Sequence, residues 1–366
     1  MRDARILVLH SSIELYGSDR MLLTVLRTLP PGVRAEVWLP DDVPFVADGL
    51  PAALTELGVD WSVRPLPVLR RRYLSPRGLL QLLPRIAALR AELRRSRPDA
   101  LYVATSAMLL AAPVARRAGV PGILLHAQEI WSGFEGRLLS ALAASVTTTV
   151  CISRAVQESL GGRVRAHSIV IDNAVPDSPD APASPADEDR PLEFVVASRW
   201  NAWKGYETLL RAWDQGEPPG RLTVLGGKPP VGAGVDVPAL VQGLTHPESV
   251  RVVGEVESVR PYLDSADVMV VPSDQPEPFG LVAIEAFSRA RPVIASDGGG
   301  LADIVGSSTG WRFPLRDPDA LRAVLDSVSR DAVVERGACA RAVYEEKYSP
   351  QRFAEQFRSV WAALLA

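Results

Sequence analysis

Two carboxylates, Glu277 and Glu285, stand with seven residues between them in a stretch that opens Pro272-Ser273-Asp274-Gln275-Pro276-Glu277-Pro278-Phe279-Gly280-Leu281. An apolar run, Val268 to Val271, precedes it and a helical pattern starts near Leu281. The spacing therefore predicts Glu277 in the loop above the helix and Glu285 about one turn inside it. Backbone N–H groups at a helix start have no partner within the helix and favour anions. A carboxylate accepts two hydroxyls in paired hydrogen bonds, so two acceptors flanking a phosphate-sized nest suit a molecule with a diphosphate between two sugars. Taken alone, the plainer reading wins, with Glu285 as half of an i,i+4 pair with Arg289 and Glu277 as a solvated loop charge.

A second group of residues changes that balance. Ser198-Arg199-Trp200-Asn201-Ala202-Trp203-Lys204-Gly205 follows the apolar run Phe194 to Ala197. Arg199 and Lys204 can neutralise a diphosphate whose negative charge grows as it leaves, without a metal ion. In the first half, His126 ends the run Ile123-Leu124-Leu125 and precedes Gln128 and Glu129. That places an imidazole and a carboxylate at the open end of a strand, able to hydrogen-bond a sugar or align an acceptor; the alternative is a neutral histidine packed under a loop. Gly17, in Leu15-Tyr16-Gly17-Ser18-Asp19-Arg20, allows a close backbone approach to phosphate, with a helix cap by Ser18 as the plainer reading.

These residues need strands to carry them. Short apolar runs at Ile6–Leu9, Ala35–Leu39, Ala100–Val103, Ile123–Leu125 and Thr149–Ile152 alternate with helical patterns such as Gly78–Arg95. The rhythm breaks after Asn173 in a segment rich in proline and acid, then resumes at Phe194–Ala197, Leu222–Leu225, Val250–Val253, Val268–Val271 and Pro292–Ala295. The 366 residues exceed what one core usually holds. The expectation is an α/β chain of two doubly wound, Rossmann-like domains facing across a cleft, with site residues after strand ends. Residues 1–173 form the acceptor-side domain, 174–191 a linker, 192–348 the donor domain, and 349–366 a last helix free to pack back on the first domain.

Composition excludes several classes. A hydrophobic content of 47%, 23% charged residues and a net charge of -3 describe a globular protein and give no nucleic-acid footprint. Cys151 and Cys339 lie too far apart in sequence for a dithiol or thiolate metal motif. Neither a secretory core nor a bilayer-length apolar run is present, so the expected location is cytoplasmic. Asp187-Glu188-Asp189 falls in the linker, so no metal site and no cofactor beyond a nucleotide-sugar substrate are expected.

With both motifs in view, the chain resembles the retaining glycosyltransferases of family 4, which have the GT-B fold. The resemblance rests on Arg199 and Lys204 as a diphosphate pair and on Glu277 through Glu285 as an E-x7-E motif. It implies that Glu277 and the backbone of Phe279, Gly280 and Leu281 hold the donor sugar and phosphates, and that Glu285 holds the ribose. It further implies that Glu277 steadies the reacting ring, that His126 is a cleft histidine, and that Gly17 belongs to a glycine loop reduced from two glycines to one. Ser296 to Asp303 is similar to another family element, with Asp303 where glutamate is usual. The implied reaction is retaining, metal-independent hexosyl transfer to a glycan, a lipid-linked glycan or a small molecule.

The segment Arg70–Arg97 carries nine arginines against one glutamate, Glu92, with leucines interleaved. It reads as a basic amphipathic stretch, either a solvated helix face or a peripheral contact with anionic membrane. Three other functions stay open: a sugar-nucleotide epimerase of the same architecture, an inactive nucleotide-sugar-binding module, and a nicotinamide-dependent dehydrogenase. The last is disfavoured because no G-x-G-x-x-G follows the first strand.

Overall fold

The computed structural model describes residues 4–177, 190–229 and 233–366. Most of the proline-rich acidic segment, 178–189, lies outside the described residues, and with it Asp187, Glu188 and Asp189. The chain divides into two compact units, residues 1–173 with 351–366, and residues 174–350.

The first unit is built on seven parallel strands: β1 Ala4–Leu9, β2 Val33–Pro40, β3 Asp60–Arg64, β4 Ala100–Val103, β5 Gly122–Ala127, β6 Thr148–Cys151 and β7 Ser168–Val170. Their order is β3-β2-β1-β4-β5-β6-β7. Central strands are mostly apolar because helices cover both faces, and all four residues of β4 are wholly buried. The last helix, Pro350–Leu364, packs in this unit through Phe353, Phe357, Val360, Trp361 and Leu364, one stripe at helical spacing. Trp361 meets the Tyr102 ring edge-on at 6.0 Å and donates from Nε1 to Thr28 Oγ1 at 2.9 Å. Burial of each such large side chain stabilises the unit by roughly 1.5–3 kcal/mol.

The second unit has six parallel strands: β8 Glu193–Ala197, β9 Arg221–Leu225, β10 Val250–Gly254, β11 Val268–Val271, β12 Val293–Ser296 and β13 Gly310–Phe313. Their order is β10-β9-β8-β11-β12-β13. One face of the sheet buries Phe194, Val196, Val224, Val268, Val270 and Ile294 against a helix-borne core that includes Trp213. At the amino end of β11, fully buried Asp267 takes a bidentate pair from Arg190 at 2.6 and 2.9 Å. That charge holds strand ends together on the edge of the sheet opposite to the strands' carboxyl ends.

In each sheet the chain reverses its direction of travel once, between β1 and β4 in the first and between β8 and β11 in the second. Loops leaving the two strands at such a point diverge and leave a crevice beyond the carboxyl ends. Strands β3, β7 and β13 have no counterpart in the sequence expectations. Each is an edge strand, part-exposed along its length, so its sequence lacks a continuous apolar run.

Candidate functional site

Strands β8 and β11 are neighbours although their sequences lie far apart, and this brings Lys204 onto Glu277. The loop after β8 ends in a short 3-10 turn, Ala202–Lys204, followed by Gly205 at φ 75°. A Cβ at Gly205 would stand 1.8 Å from the Pro272 carbonyl oxygen, so only glycine lets the two loops meet here. Asp274 N–H donates to the Trp203 carbonyl at 2.8 Å and closes the same junction.

Across it, Lys204 Nζ donates to Glu277 Oε1 at 2.5 Å, and Ser273 Oγ donates to the same oxygen at 2.7 Å. The Glu277 side chain is 6% exposed and that of Lys204 is 21% exposed. The ammonium also lies 4.2 Å from the centre of the Trp203 ring. An ammonium has three donors, so Lys204 can hold Glu277 and still offer hydrogen bonds to an anion at its exposed side.

A third loop, after β12, completes the frame. Gly300 N–H donates to the Glu277 carbonyl at 2.7 Å, and Glu277 pairs with Gly299 as an isolated parallel bridge. Gly299 is at φ 65° and ψ -143°, and a Cβ there would lie 2.0 Å from the Glu277 carbonyl oxygen. Glu277 is thus clamped by loops from three adjacent strands. Gly280, at φ 106°, caps the helix Leu281–Ser288, which starts beside this clamp. Phe279 turns its ring inward, edge-on to Tyr348 at 6.1 Å, leaving its backbone as the part that faces the loop. Glu285 is half-buried on the helix, and Arg289 binds Asp264 Oδ1 at 2.5 Å. Arg199 is exposed on the β8 loop, five residues before Lys204.

Gly17 and His126 belong to the first unit, and both differ in placement from the sequence expectation. Gly17 is the first residue of the helix Gly17–Leu26 and has no left-handed φ, so the conformation does not demand glycine there. The turn is held instead by Asp19, 1% exposed, which accepts from Tyr16 N–H at 2.8 Å and shares a 2.6 Å bond with His10 Nε2. His126 is the penultimate residue of β5, near its carboxyl end, but its side chain turns into the core rather than toward the open end. Its ring is fully buried, bonded through Nδ1 to the Tyr102 hydroxyl at 2.8 Å and edge-on to Phe357 at 5.6 Å. Burial holds the imidazole neutral, its pKa lowered to about 3.

That burial sets a pH dependence. Above the ordinary histidine pKa of about 6.5 the ring is neutral folded and unfolded, and pH has no leverage. Below it the unfolded chain binds a proton that the folded ring refuses, so stability falls as pH falls, by about 1.4 kcal/mol per unit. Urea unfolding at pH 7 and pH 5 should show the wild type losing about 2 kcal/mol more than His126→Phe, which keeps an aromatic ring beside Phe357. Equal losses in both proteins would refute the assignment.

Sequence reasoning also missed a polar cluster where β1 and β4 part. Ser11 and Thr105 hydroxyls are bonded at 2.9 Å, and Ser106 Oγ donates to Glu129 Oε2 at 2.6 Å while accepting from Trp131 Nε1 at 2.8 Å. Burial raises the Glu129 pKa, and the Ser106 bonds partly offset it. The short polar residues closing each apolar run were the available signal.

Comparison with known proteins agrees with the fold. Each unit is a doubly wound parallel sheet, and together they have the GT-B fold. Residues 191–331 match the family described as Glycosyl transferases group 1. A glycosyltransferase of Methanocaldococcus jannaschii is 30% identical over 188 residues, 48% of this chain and 45% of that protein. D-inositol 3-phosphate glycosyltransferase of Kineococcus radiotolerans is 37% identical over 141 residues, 33% of this chain and 32% of its own. The matched stretches thus span less than half of these relatives. Among solved structures, Anabaena HepE in complex with UDP-glucose superposes with a TM-score of 0.80 at 20% identity, over 98% of this chain and 100% of that one. The likeness to HepE is one of fold.

Proposed function

We propose that this chain is a glycosyltransferase that moves a sugar from a nucleoside-diphosphate sugar to a hydroxyl acceptor with retention of anomeric configuration. The observation that carries the reading is the Lys204–Ser273–Glu277 cluster at the crevice between β8 and β11, beside the start of the helix Leu281–Ser288.

In this reading Lys204 and Arg199 bind the diphosphate and stabilise the charge that grows on it as the bond from the anomeric carbon to phosphate oxygen breaks. Backbone N–H groups of the segment Phe279, Gly280 and Leu281 face the phosphates and sugar, since a helix start favours anions. Glu277, fixed by three loops, accepts hydroxyls of the donor sugar and steadies its ring. Glu285 accepts the ribose hydroxyls. The acceptor oxygen attacks from the face the diphosphate leaves, and the departing phosphate takes its proton. The protein cations supply the charge stabilisation, so a divalent ion is not required. Gly17 offers a backbone contact to phosphate, and the polar cluster at Glu129 supports an acceptor-side role for the first unit. The acceptor is a glycan, a lipid-linked glycan or a small hydroxylated molecule. His126 has no part in substrate contact in this reading, because its ring is enclosed.

HepE was solved with UDP-glucose, which makes UDP the first nucleotide to try. In a thermal-shift panel of UDP, GDP, ADP, CDP and dTDP, one nucleotide should raise the melting temperature with or without magnesium. At a concentration of 100 times Kd, the gain is about 2.7 kcal/mol. Silence across the panel would sink the donor-site reading.

A further inference from the structure

The exposed large apolar side chains are unevenly distributed. Among the described residues, all but Val334 lie in the first unit. Three fall within the first two turns of the helix Pro76–Ser96: Leu79, Leu80 and Leu83, at 54, 66 and 59% exposed. Phe134, 81% exposed, and Leu138 mark the start of the helix Gly133–Ala143.

These positions share one rim. Right-handed crossovers from β3 to β4, β4 to β5 and β5 to β6 put their three connecting helices on one face of the sheet. The middle helix, Ala111–Ala118, packs against both of the others. Each runs antiparallel to its strands, so the leucine turn and the phenylalanine turn stand at the same end of that face, the end where strands terminate.

The surrounding charge selects an occupant. The arginine-rich stretch is less basic than its composition implies: Arg70 and Arg72 close on Asp42, Arg85 on Asp41 and Arg95 on Glu92. Arg77 and Arg90 are exposed and have no ion pair among the described residues, and no carboxylate occurs between Pro76 and Ala91. A stable protein interface engages about 20–30 residues a side, far more than these few projecting side chains. Exposed leucines on a helix that also carries the unpaired guanidinium groups of Arg77 and Arg90 match the boundary between acyl chains and anionic headgroups.

We propose that this rim docks the protein on an anionic phospholipid bilayer, with Leu79, Leu80, Leu83 and Phe134 entering the interface and Arg77 and Arg90 meeting headgroup phosphates. The docking does not depend on the transfer reaction, so its failure and the failure of the donor-site reading are separately visible.

The test is flotation of the full chain with vesicles of phosphatidylcholine alone and of phosphatidylcholine with phosphatidylglycerol. The wild type should float with the anionic vesicles and lose binding at high salt. Leu79→Ser/Leu80→Ser/Leu83→Ser should bind about 100-fold more weakly, with unchanged melting temperature and nucleotide response. A fluorophore on Leu80→Cys, in a Cys339→Ser background, should shift to the blue on anionic vesicles. The proposal is overturned if the wild type stays unbound, if the triple variant floats equally well, or if neutral vesicles bind as tightly. It is equally overturned if the label is unshifted, or if light scattering shows a dimer that the triple variant dissolves.

Discussion

Lys204→Ala is expected to lower the turnover of sugar transfer by about 100- to 1,000-fold, the usual effect of removing one donor aimed at charge that develops in a transition state. Two losses combine. The ammonium that would meet the leaving diphosphate disappears, and Glu277, only 6% exposed, keeps Ser273 but loses its ionic partner. Removing one member of a pair so deeply set costs more than the pair contributes when intact, because a buried charge is left uncompensated. Lys204→Arg should not restore full activity, since a longer, planar fork does not reproduce the compact ammonium that binds Glu277 Oε1 while offering its other donors to an anion. Steady-state kinetics of Lys204→Ala, Glu277→Ala and the double variant separate the terms: a pair acting as a unit gives a double variant little worse than the worse single one. Wild-type turnover in Lys204→Ala would refute the role given to it.

Gly299→Ala should be nearly as damaging, though residue 299 offers no side chain to a substrate. Its φ of 65° with ψ of -143° is a conformation essentially confined to glycine, and the added Cβ would lie 2.0 Å from the Glu277 carbonyl oxygen. If the clamp holds, the strain costs about 3 kcal/mol, or roughly 6–12 °C in the melting of the second unit. If it gives way, Glu277 moves off Lys204 and nucleotide-sugar binding weakens instead. Melting and isothermal titration together read both responses. A variant that melts and binds like the wild type would show that the clamp does not position Glu277.

The two central motifs were legible because each is local. Lys204 with Gly205, and Glu277 through Glu285, follow apolar runs buried on both faces, and such runs announce strands and the helices after them. The edge strands β3, β7 and β13 were not legible, since a part-exposed strand of three to five residues has no distinguishing period. His126 shows the limit of counting along a strand. An imidazole after three apolar residues is equally placed for the strand's open end or for the core, and only the packing of Tyr102 and Phe357 around it decides for the core.

The sequence by itself determined the class of fold, the order of its apolar strands and the two charged motifs, because periodicity and short-range spacing encode them. Tertiary structure alone decided that Lys204 meets Glu277 and that Gly299 clamps the same residue. Those contacts depend on which strands lie side by side in the sheet, and strand order is fixed by chain crossovers that leave no mark at either motif. The same holds for the leucines of the helix Pro76–Ser96: their exposure depends on which stripe of the helix the sheet and its neighbours leave uncovered.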